Sequence, residues 1–371
     1  MAKKKSEERT YITYKDIEEA EKKYNLNYLI LFGGRNDGKS YSAKEKVLRD
    51  YFRDGTMFTY LRRYDIDVKS VDNTLYWADF MSGNPNKIEQ LSGKAWSGIT
   101  SEKGTFYLTT LNPEGNVQKG PAVGYIHALS TSERRLKSLQ FPEVGNIIYE
   151  EFCTADTPLY NEVRIFNNYV STIFRDKRGS VYMIGNTVSH HNPFFREWEM
   201  IGIPKQEPGT VDVYTYDHEG KHIRVGAYYT KAHKINNMFF GDAAKLITGS
   251  SWDAKEQPHL EGKEEDYTEV YRLFIQIDKS NKYMCRFMVK DDLAVWYVTP
   301  KTTDIRMIDR VISPDYVPSM LYTQGLQPIN DKEARIFPLF QLGRVVYSDN
   351  LTGTEFKRGL LQLKMLTSGK E

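Results

Sequence analysis

The sequence is poor in cysteine and has no long apolar run. Its 371 residues include two cysteines, Cys153 and Cys285. They lie far apart, and two thiols make neither a disulfide framework nor a structural zinc site, which needs four ligands. We therefore expect a reducing compartment. No stretch reaches the roughly 20 apolar residues that a transmembrane helix needs, and the Lys/Glu-rich segment Met1 to Arg9 lacks the apolar core of a secretory signal.

The sequence also lacks a strong net charge of either sign. It has 51 Lys and Arg against 49 Asp and Glu, a formal net charge of +2. This balance does not by itself indicate nucleic-acid binding, so any basic surface has to be local. With 40% hydrophobic and 27% charged residues, the chain has the composition of a globular protein, and its length fits two or three domains.

What the sequence does contain is a complete G-x-x-x-x-G-K-S phosphate loop. The apolar run Leu29 to Phe32 precedes it, and the helix-competent segment Tyr41 to Tyr51 follows it. Strand, glycine loop and helix in this order let backbone N–H groups and the helix N-terminus bind phosphate. A chance glycine-rich turn is the alternative, and both flanks argue against it. The predicted ATP-binding residues are Gly33, Gly34, Arg35, Asn36, Asp37, Gly38, Lys39 and Ser40.

Two of these residues have specific expected roles. Lys39 would reach the β- and γ-phosphates, and the Ser40 hydroxyl would bind Mg²⁺. About 110 residues later the apolar strand Ile147 to Tyr149 ends in Glu150 and Glu151. In P-loop ATPases, the first acid of such a pair holds the Mg²⁺ shell and the second polarises the attacking water. We assign these roles to Glu150 and Glu151, although Asp is usual at the first position.

Other polar residues follow predicted strands or helices. Arg62 and Arg63 end the strand from Thr56 to Leu61, where they could contact nucleotide or DNA, or form a surface pair with Asp65 or Asp67. Arg175 and Arg178 end the helix that begins at Asn161. They either complement the helix dipole or act as an arginine finger on a neighbouring subunit's γ-phosphate.

A strand tip and two histidines complete the candidates of the first 200 residues. Asn186 ends the strand Val181 to Gly185, where its amide could sense the γ-phosphate. His190 and His191 lie in an Asn-Pro loop without enough further ligands for zinc, and we interpret them as ordinary loop residues.

The alternation of strands and helices predicts an α/β fold. Composition shifts at Ile203-Pro204 and at the charged stretch 262–266 divide the chain into an ATPase domain (1–203), a linker or lid (204–268) and a C-terminal domain (269–371). Within the linker, Asn236 to Thr248 has a helical pattern. The segment Asn112 to Pro121 is predicted as a long loop, and Gly359 to Glu371 as a tail without a strong fold signal.

These motifs together resemble the genome-packaging ATPases, or DNA encapsidation proteins, of small tailed phages with protein-primed genomes, which are compact relatives of large terminases. The phosphate loop, the step to Arg62-Arg63, the strand ending in Glu150-Glu151, and the stretch from Met183 through Pro193-Phe194-Phe195 carry the resemblance. It implies an additional-strand P-loop ATPase domain and a smaller α+β C-terminal domain resembling RNase H nucleases. Glu150 departs from the usual Asp.

The resemblance also implies partners and a place of action. It implies a motor that uses ATP and Mg²⁺ to move double-stranded DNA through the portal into an empty procapsid. It further implies a homo-oligomeric ring, five subunits in this family, and in some members a structural RNA that bridges ring and capsid. Such a protein works at the portal vertex in the host cytoplasm, without a membrane, and is not expected in the mature virion. A P-loop helicase or recombination ATPase is the alternative, and a small-molecule kinase is a third.

The C-terminal domain is expected to be nuclease-shaped but inactive. The strand Leu273 to Ile277 ends at Asp278, where an RNase H fold would have its first metal-binding carboxylate. Two-metal cleavage needs several convergent carboxylates, and the spacing of the other acids singles out no such set. The domain would instead bind DNA, structural RNA or the portal through the basic residues Lys279, Lys282 and Arg286.

Overall fold

The computed structural model describes residues 11–153, 158–218, 220–231, 252 and 254–368. The chain divides into two compact units. The N-terminal unit takes its described residues from Met1–Thr187 and Gln206–Ser251, and the C-terminal unit from Val188–Lys205 and Trp252–Glu371. Within the described residues no helix combines the length and hydropathy needed to span a bilayer.

The N-terminal unit is built on one sheet, to which nine strands contribute among the described residues. Their order across the sheet is β3-β4-β5-β2-β6-β7-β1-β9-β8. The six strands from β5 to β9 in this order are mutually parallel, while β3, β4 and β8 add antiparallel edges. The strands are β1 (Tyr28–Gly33), β2 (Met57–Arg62), β3 (Gly98–Glu102), β4 (Thr105–Leu111), β5 (Val117–Ala128), β6 (Val144–Glu150), β7 (Ser180–Asn186), β8 (Val211–His218) and β9 (Lys221–Tyr229).

Helices connect these strands and cover the sheet. They are α1 (Tyr14–Tyr24), α2 (Lys39–Asp54), α3 (Ile66–Lys69), α4 (Lys87–Leu91), α5 (Leu129–Arg135) and α6 (Glu162–Phe174), with a 3₁₀ helix at Asn73–Trp77. The central strands β1 and β6 are almost continuously buried. Strands buried on both faces are typical of a parallel sheet covered by helices. The carboxyl ends of β1, β2, β6 and β7 therefore meet at one edge of the sheet, which is where ligands bind in such folds.

Strand order identifies the kind of P-loop fold. β1 leads into the phosphate loop, and β6 ends in Glu150. β7 lies between them and pairs parallel with both. A strand inserted between the phosphate-loop strand and the acidic strand is the feature that defines the additional-strand class, as the sequence resemblance implied.

The C-terminal unit has a second sheet, with strand order β14-β13-β10-β11-β12-β15. β10 (Thr268–Gln276), β11 (Lys282–Lys290) and β12 (Leu293–Pro300) form an antiparallel meander. β13 (Arg310–Ile312) and β14 (Leu321–Thr323) then continue parallel to β10, and β15 (Val345–Tyr347) pairs with β12. A three-stranded meander followed by parallel strands beside its first member is the RNase H-like order. The helices of this unit are α7 (Pro193–Glu197), α8 (Asp331–Gln341) and α9 (Asn350–Ser368), with 3₁₀ turns at Ile203–Lys205 and Glu264–Asp266.

The boundaries of the units differ from the predicted division at 203/204 and 268/269. β8 and β9 do not form a separate lid, because β9 pairs along its length with β1 and so extends the first sheet. Residues 188–203, predicted in the ATPase domain, group with the C-terminal unit, together with the first two residues of the predicted linker. The helix predicted at Asn236 to Thr248 lies outside the described residues.

Two local predictions are corrected. The long loop predicted at Asn112 to Pro121 is a short turn, because β5 begins at Val117 and pairs with β4. The predicted tail from Gly359 is instead the second half of α9, and Leu363 on it is buried in the core of the C-terminal unit.

Candidate nucleotide-binding site

The phosphate loop has the backbone conformation that its glycines permit. Gly38 has φ 84° as the residue that precedes α2, a left-handed conformation that favours glycine. Gly33 has φ 153°, and a Cβ there would lie 2.0 Å from Thr230 Oγ1. The Thr230 hydroxyl in turn donates a 2.6 Å hydrogen bond to Asp37. The strand tip after β9 therefore holds the loop from one side, and only glycine fits at its start.

Lys39 is buried at the start of α2 and faces the loop. Its ammonium group donates to the Gly34 carbonyl and lies 4.0 Å from Asp37 Oδ2. Burial lowers the pKa of Lys39 to about 8, although the charges of Asp37 and Glu150 oppose that fall. The loop thus keeps a cation where phosphates would bind, held by groups that a nucleotide can replace.

Ser40 and Glu150, both predicted to bind Mg²⁺, meet at the carboxyl ends of the parallel strands. Ser40 Oγ donates a 3.1 Å hydrogen bond to Glu150 Oε2. The second carboxylate oxygen, Oε1, accepts a 3.0 Å hydrogen bond from the Tyr76 hydroxyl. Burial raises the pKa of Glu150, and the bonds from Ser40 and Tyr76 work against that rise.

The donors present fit a magnesium ion that is bound mainly by a nucleotide. Mg²⁺ prefers hard oxygen ligands and usually keeps several waters while binding one or two protein groups and phosphates. A serine hydroxyl and a carboxylate within hydrogen-bond distance of each other supply such groups. A cavity of about 420 Å³ opens beside them and is also lined by Arg62, Tyr76 and Asp79.

Glu151 differs from Glu150 in its exposure, its backbone conformation and its partner. Its side chain is 57% exposed, and its backbone has φ 58°, which turns the chain out of β6. The carboxylate forms a 2.5 Å ion pair with Arg62 at the tip of β2. Glu151 therefore lies at the carboxyl end of β6, where a water-activating carboxylate was predicted. Its carboxylate is paired with Arg62 in this structure.

Arg63 has a structural partner. Its guanidinium is buried, forms a 2.9 Å ion pair with Glu162 on α6, and donates to the Phe152 carbonyl at 2.7 Å. The surface alternative had supposed ion pairs with Asp65 or Asp67. In the structure Arg62 pairs with Glu151 and Arg63 pairs with Glu162 instead. Arg63 fastens α6 to the end of β6, while Arg62 faces the site.

Asn186 lies next to the phosphate loop. β7 and β1 are in register so that Asn186 is opposite Gly33. Arg175 and Arg178 precede β7 and so lie at the amino ends of the parallel strands, opposite to the end that carries the phosphate loop. Arg175 donates to the Leu139 carbonyl at 2.9 Å, and Arg178 donates to the Asn25 side chain. Within one subunit these arginines do not join the site, so a role in hydrolysis requires a neighbouring subunit and stays a prediction.

In the C-terminal unit, the acid that follows β10 is already hydrogen-bonded within its own turn. Asp278 accepts three 2.8 Å hydrogen bonds, from the backbones of Ser280 and Asn281 and from the Asn281 amide. It closes the turn between β10 and β11. No group of three or more potential ligands able to hold a metal occurs among His, Cys, Asp and Glu of the described residues.

His190 and His191 are not ordinary loop residues in the structure. His190 donates its backbone N–H to the buried Glu355 carboxylate at 2.8 Å, and His191 Nε2 lies 3.1 Å from the Tyr283 hydroxyl. Burial lowers the pKa of His190 to about 4 and also lowers the pKa of His191. Both side chains are almost fully covered, with exposures of 9% for His190 and 2% for His191. Arg358 completes the cluster with a 2.9 Å bond to Glu355.

Two of the three basic residues predicted to bind DNA, RNA or the portal already have acidic partners. Lys279 pairs with Glu199 at 2.5 Å, and Arg286 pairs with Glu264. Exposed pairs of this kind are weak and easily exchanged. A binding role for Lys279, Lys282 and Arg286 therefore stays a prediction.

Sequence reasoning missed several residues of the site. Tyr76, Thr230 and Lys44 were not candidates, and Arg62 was left between alternatives. Lys44 lies one helical turn after Ser40 and pairs with Asp79 at 2.6 Å. No motif marks these side chains, and Tyr76 and Thr230 reach the site through contacts that are distant in sequence.

The chain is similar in sequence to DNA packaging proteins of Bacillus phages. No protein-family model matches the chain. It is 29% identical to the DNA packaging protein of Bacillus phage B103 over 174 residues, which cover 46% of each chain. It is 26% identical to the DNA packaging protein of Bacillus phage phi29 over 247 residues, 62% of this chain and 67% of that one. The match thus spans about half the length of the B103 relative.

One solved structure extends the fold similarity over nearly the whole chain. The Phi-28 gp11 DNA packaging motor superposes with a TM-score of 0.50 and 14% identity, covering 96% of this chain and 98% of that one. The phosphate loop, the acidic strand and the strand between them define an additional-strand P-loop protein with a second, RNase H-like unit. Within that class, the chain is similar in sequence to the DNA packaging proteins of Bacillus phages B103 and phi29.

Proposed function

We propose that this chain is an ATP-driven motor that moves double-stranded DNA through the portal into an empty procapsid. The observation that carries the proposal is the group formed by Lys39, Ser40 and Glu150 at one edge of the sheet, with Glu151 beside it. The relatives are named DNA packaging proteins, and we extend that activity to this chain.

The residues have separate roles in the proposed reaction. The loop from Gly33 to Ser40 binds the phosphates of ATP, with Lys39 on the β- and γ-phosphates. Ser40 and Glu150 would hold Mg²⁺, which neutralises charge that develops on the phosphates during transfer. Glu151 accepts a proton from the attacking water, for which its carboxylate must leave Arg62. Asn186, opposite Gly33, senses the γ-phosphate.

The proposal includes an assembly. We infer a ring of identical subunits, five by resemblance, at the portal vertex in the host cytoplasm and absent from the mature virion. In that ring Arg175 or Arg178 would reach the neighbouring subunit's γ-phosphate. A structural RNA is a further partner to test, since some members of the resembled family use one.

The test measures ATP hydrolysis by the purified chain alone, with double-stranded DNA, and with DNA plus procapsids. We expect the rate of ATP hydrolysis to rise when DNA and procapsids are added. We also expect DNA that has entered the capsid to be protected from added nuclease. Lys39→Ala, which removes the buried cation, is the matched inactive control. Hydrolysis stimulated by single strands together with strand separation would instead support a helicase, and no hydrolysis in any mixture would refute the proposal.

A further inference from the structure

Glu150 is held at both of its carboxylate oxygens by two different hydroxyl groups. Ser40 on α2 donates to Oε2 at 3.1 Å, and Tyr76 donates to Oε1 at 3.0 Å. A glutamate has one more rotatable bond than an aspartate, so its carboxylate has more orientations to lose when it is fixed. The hydrogen bond from Tyr76 restricts the orientation of the Glu150 carboxylate through Oε1. It leaves Oε2, the oxygen that faces Ser40, unoccupied by Tyr76.

Tyr76 is itself anchored to the helix that carries Ser40. Lys44, one turn further along α2, donates to the Tyr76 carbonyl at 2.8 Å and pairs with Asp79 at 2.6 Å. The Tyr76 ring also packs on Tyr60, with ring centroids 4.3 Å apart. Both hydroxyls that hold Glu150 are therefore fixed relative to α2, one directly and one through Lys44.

The Tyr76 hydroxyl is the donor in its hydrogen bond to Glu150. Burial, followed by the charge of Glu150, raises the pKa of Tyr76 well above its ordinary value. Groups that orient a metal-binding carboxylate in this way typically change metal affinity by about 10- to 100-fold when they are removed.

We propose that Tyr76 is a positioning residue for the metal site, because its hydroxyl fixes the Glu150 carboxylate with one oxygen turned toward Ser40. This inference rests on the proposed function, in which a nucleotide-bound Mg²⁺ lies beside these two residues. It adds a residue that no motif marks and gives the unusual glutamate a partner suited to its length.

The first test is Tyr76→Phe, which removes the hydroxyl and keeps the ring. Binding of Mn²⁺, used as a magnetic substitute for Mg²⁺, is measured by electron paramagnetic resonance with a non-hydrolysable ATP analogue present. We expect Mn²⁺ to bind about tenfold more weakly, while the affinity for the analogue without metal stays unchanged. The Mg²⁺ concentration for half-maximal hydrolysis should rise by the same factor.

Tyr182→Phe is the matched control. Its hydroxyl is also buried and donates to Glu21 at 2.7 Å, away from the site. This variant should lose a comparable amount of thermal stability and leave Mn²⁺ binding unchanged. Equal Mn²⁺ affinities for Tyr76→Phe and the wild type would overturn the proposal, and equal weakening in both variants would reduce it to a general effect on folding.

A double-mutant cycle with Glu150→Asp tests the geometry itself. The shorter aspartate cannot contact both hydroxyls at these distances, so the Tyr76 bond should already be lost in Glu150→Asp. We therefore expect Tyr76→Phe to change Mn²⁺ affinity less than twofold in that background. A full tenfold effect there would show that Tyr76 acts by another route.

These outcomes separate the inference from the proposed function. If the wild type neither hydrolyses ATP nor binds Mn²⁺ in the presence of the analogue, the proposed function fails. If the wild type does both and Tyr76→Phe behaves like it, only the role of Tyr76 fails.

Discussion

At the scale of single residues, the buried ammonium group of Lys39 is the charge on which the proposed nucleotide binding would depend most directly. It lies in a loop that supplies Asp37 and the Gly34 carbonyl as temporary partners. Desolvation makes the charged form costly, and phosphate would relieve that cost. A bound phosphate could therefore replace the Gly34 carbonyl and Asp37 as the partner of the Lys39 ammonium group.

This arrangement predicts a pH dependence of nucleotide binding. Burial lowers the pKa of free Lys39 to about 8, and bound phosphate must raise it, because phosphate favours the charged form. Above pH 8 binding therefore has to take up a proton, and affinity should fall by about tenfold per pH unit. Fluorescent-nucleotide titrations between pH 7 and 9.5 measure this fall. Lys39→Ala should bind weakly at every pH, with no comparable slope.

The exposed acid Glu151 allows a second prediction at this scale. Glu151→Gln should bind ATP with nearly wild-type affinity, because the side chain contacts Arg62 and not the phosphate loop. Its turnover should fall by about 10²- to 10⁴-fold, the usual loss when a general base is removed. Nucleotide binding and steady-state hydrolysis are measured on the same preparation. Glu114→Gln, in the exposed turn between β4 and β5, is the control.

A parallel loss of binding and turnover in Glu151→Gln would contradict the predicted role. It would mean that the carboxylate holds the nucleotide site together, in which case its pairing with Arg62 would be structural.

At the scale of helices and strands, the sequence predicted those elements that a local sequence pattern marks. The phosphate loop and the acidic end of β6 were found because apolar runs and glycines mark them directly. The first residues of β5 were predicted as a loop, because Val117, Gln118 and Lys119 are all exposed and show no alternation of apolar and polar residues. Tyr76 and Thr230 could not be found, since each reaches the site through a contact with residues that are distant in the chain.

The second half of α9 was missed because Gly353 and Gly359 weaken the helical pattern. In the structure both are packing requirements. A Cβ on Gly353 would lie 2.6 Å from Gln257 Cγ, and one on Gly359 would lie 2.8 Å from His191 Cε1. Local propensity and tertiary packing therefore oppose each other on this helix, and packing prevails.

That conflict gives a prediction. Gly359→Ala should destabilise the chain, although alanine is the better helix former by about 1 kcal/mol. The added methyl group has to displace the buried His191 ring, and overpacking of this kind costs about 1–3 kcal/mol. Thermal or urea unfolding measures the change. Leu361→Ala, at an exposed position on the same helix, should be close to neutral, and a stabilised Gly359→Ala would show that the His191 ring yields freely.

The arginines at the end of α6 allow a test of assembly. Arg175 and Arg178 lie at the edge of the sheet opposite the phosphate loop of their own subunit, where they contact Leu139 and Asn25. If one of them acts on a neighbour, inactive Lys39→Ala subunits mixed with inactive arginine variants should regain some hydrolysis, because mixed rings contain some intact interfaces. We favour Arg175 slightly, since Arg178 is closer to the Gly179 turn.

The readout is hydrolysis as a function of mixing ratio, with each variant alone as the baseline. Absence of recovery for both arginines would leave capping of α6 and its neighbouring turns as their only role.

At the scale of the whole molecule, each unit has its own sheet and core, and the acids of the two units serve different ends. In the N-terminal unit Glu150 and Glu151 end a parallel strand beside the phosphate loop. In the C-terminal unit, Asp278 is tied into a turn, and Glu355 is tied to His190 and Arg358. Acidic side chains thus line the proposed nucleotide site in one unit and hold internal structure together in the other.

The last prediction is that the C-terminal unit does not cut DNA. Two-metal cleavage needs carboxylates that converge on ions about 3.5–4 Å apart, whereas Asp278 already accepts three hydrogen bonds within its own turn. Incubation of the purified full chain with plasmid and Mn²⁺ or Mg²⁺ should leave the plasmid intact, with a commercial nuclease as the positive control. Asp278→Ala should lower the unfolding temperature, because the turn loses its acceptor. Cleavage by the wild type that disappears in Asp278→Ala would show that the unit is an active nuclease.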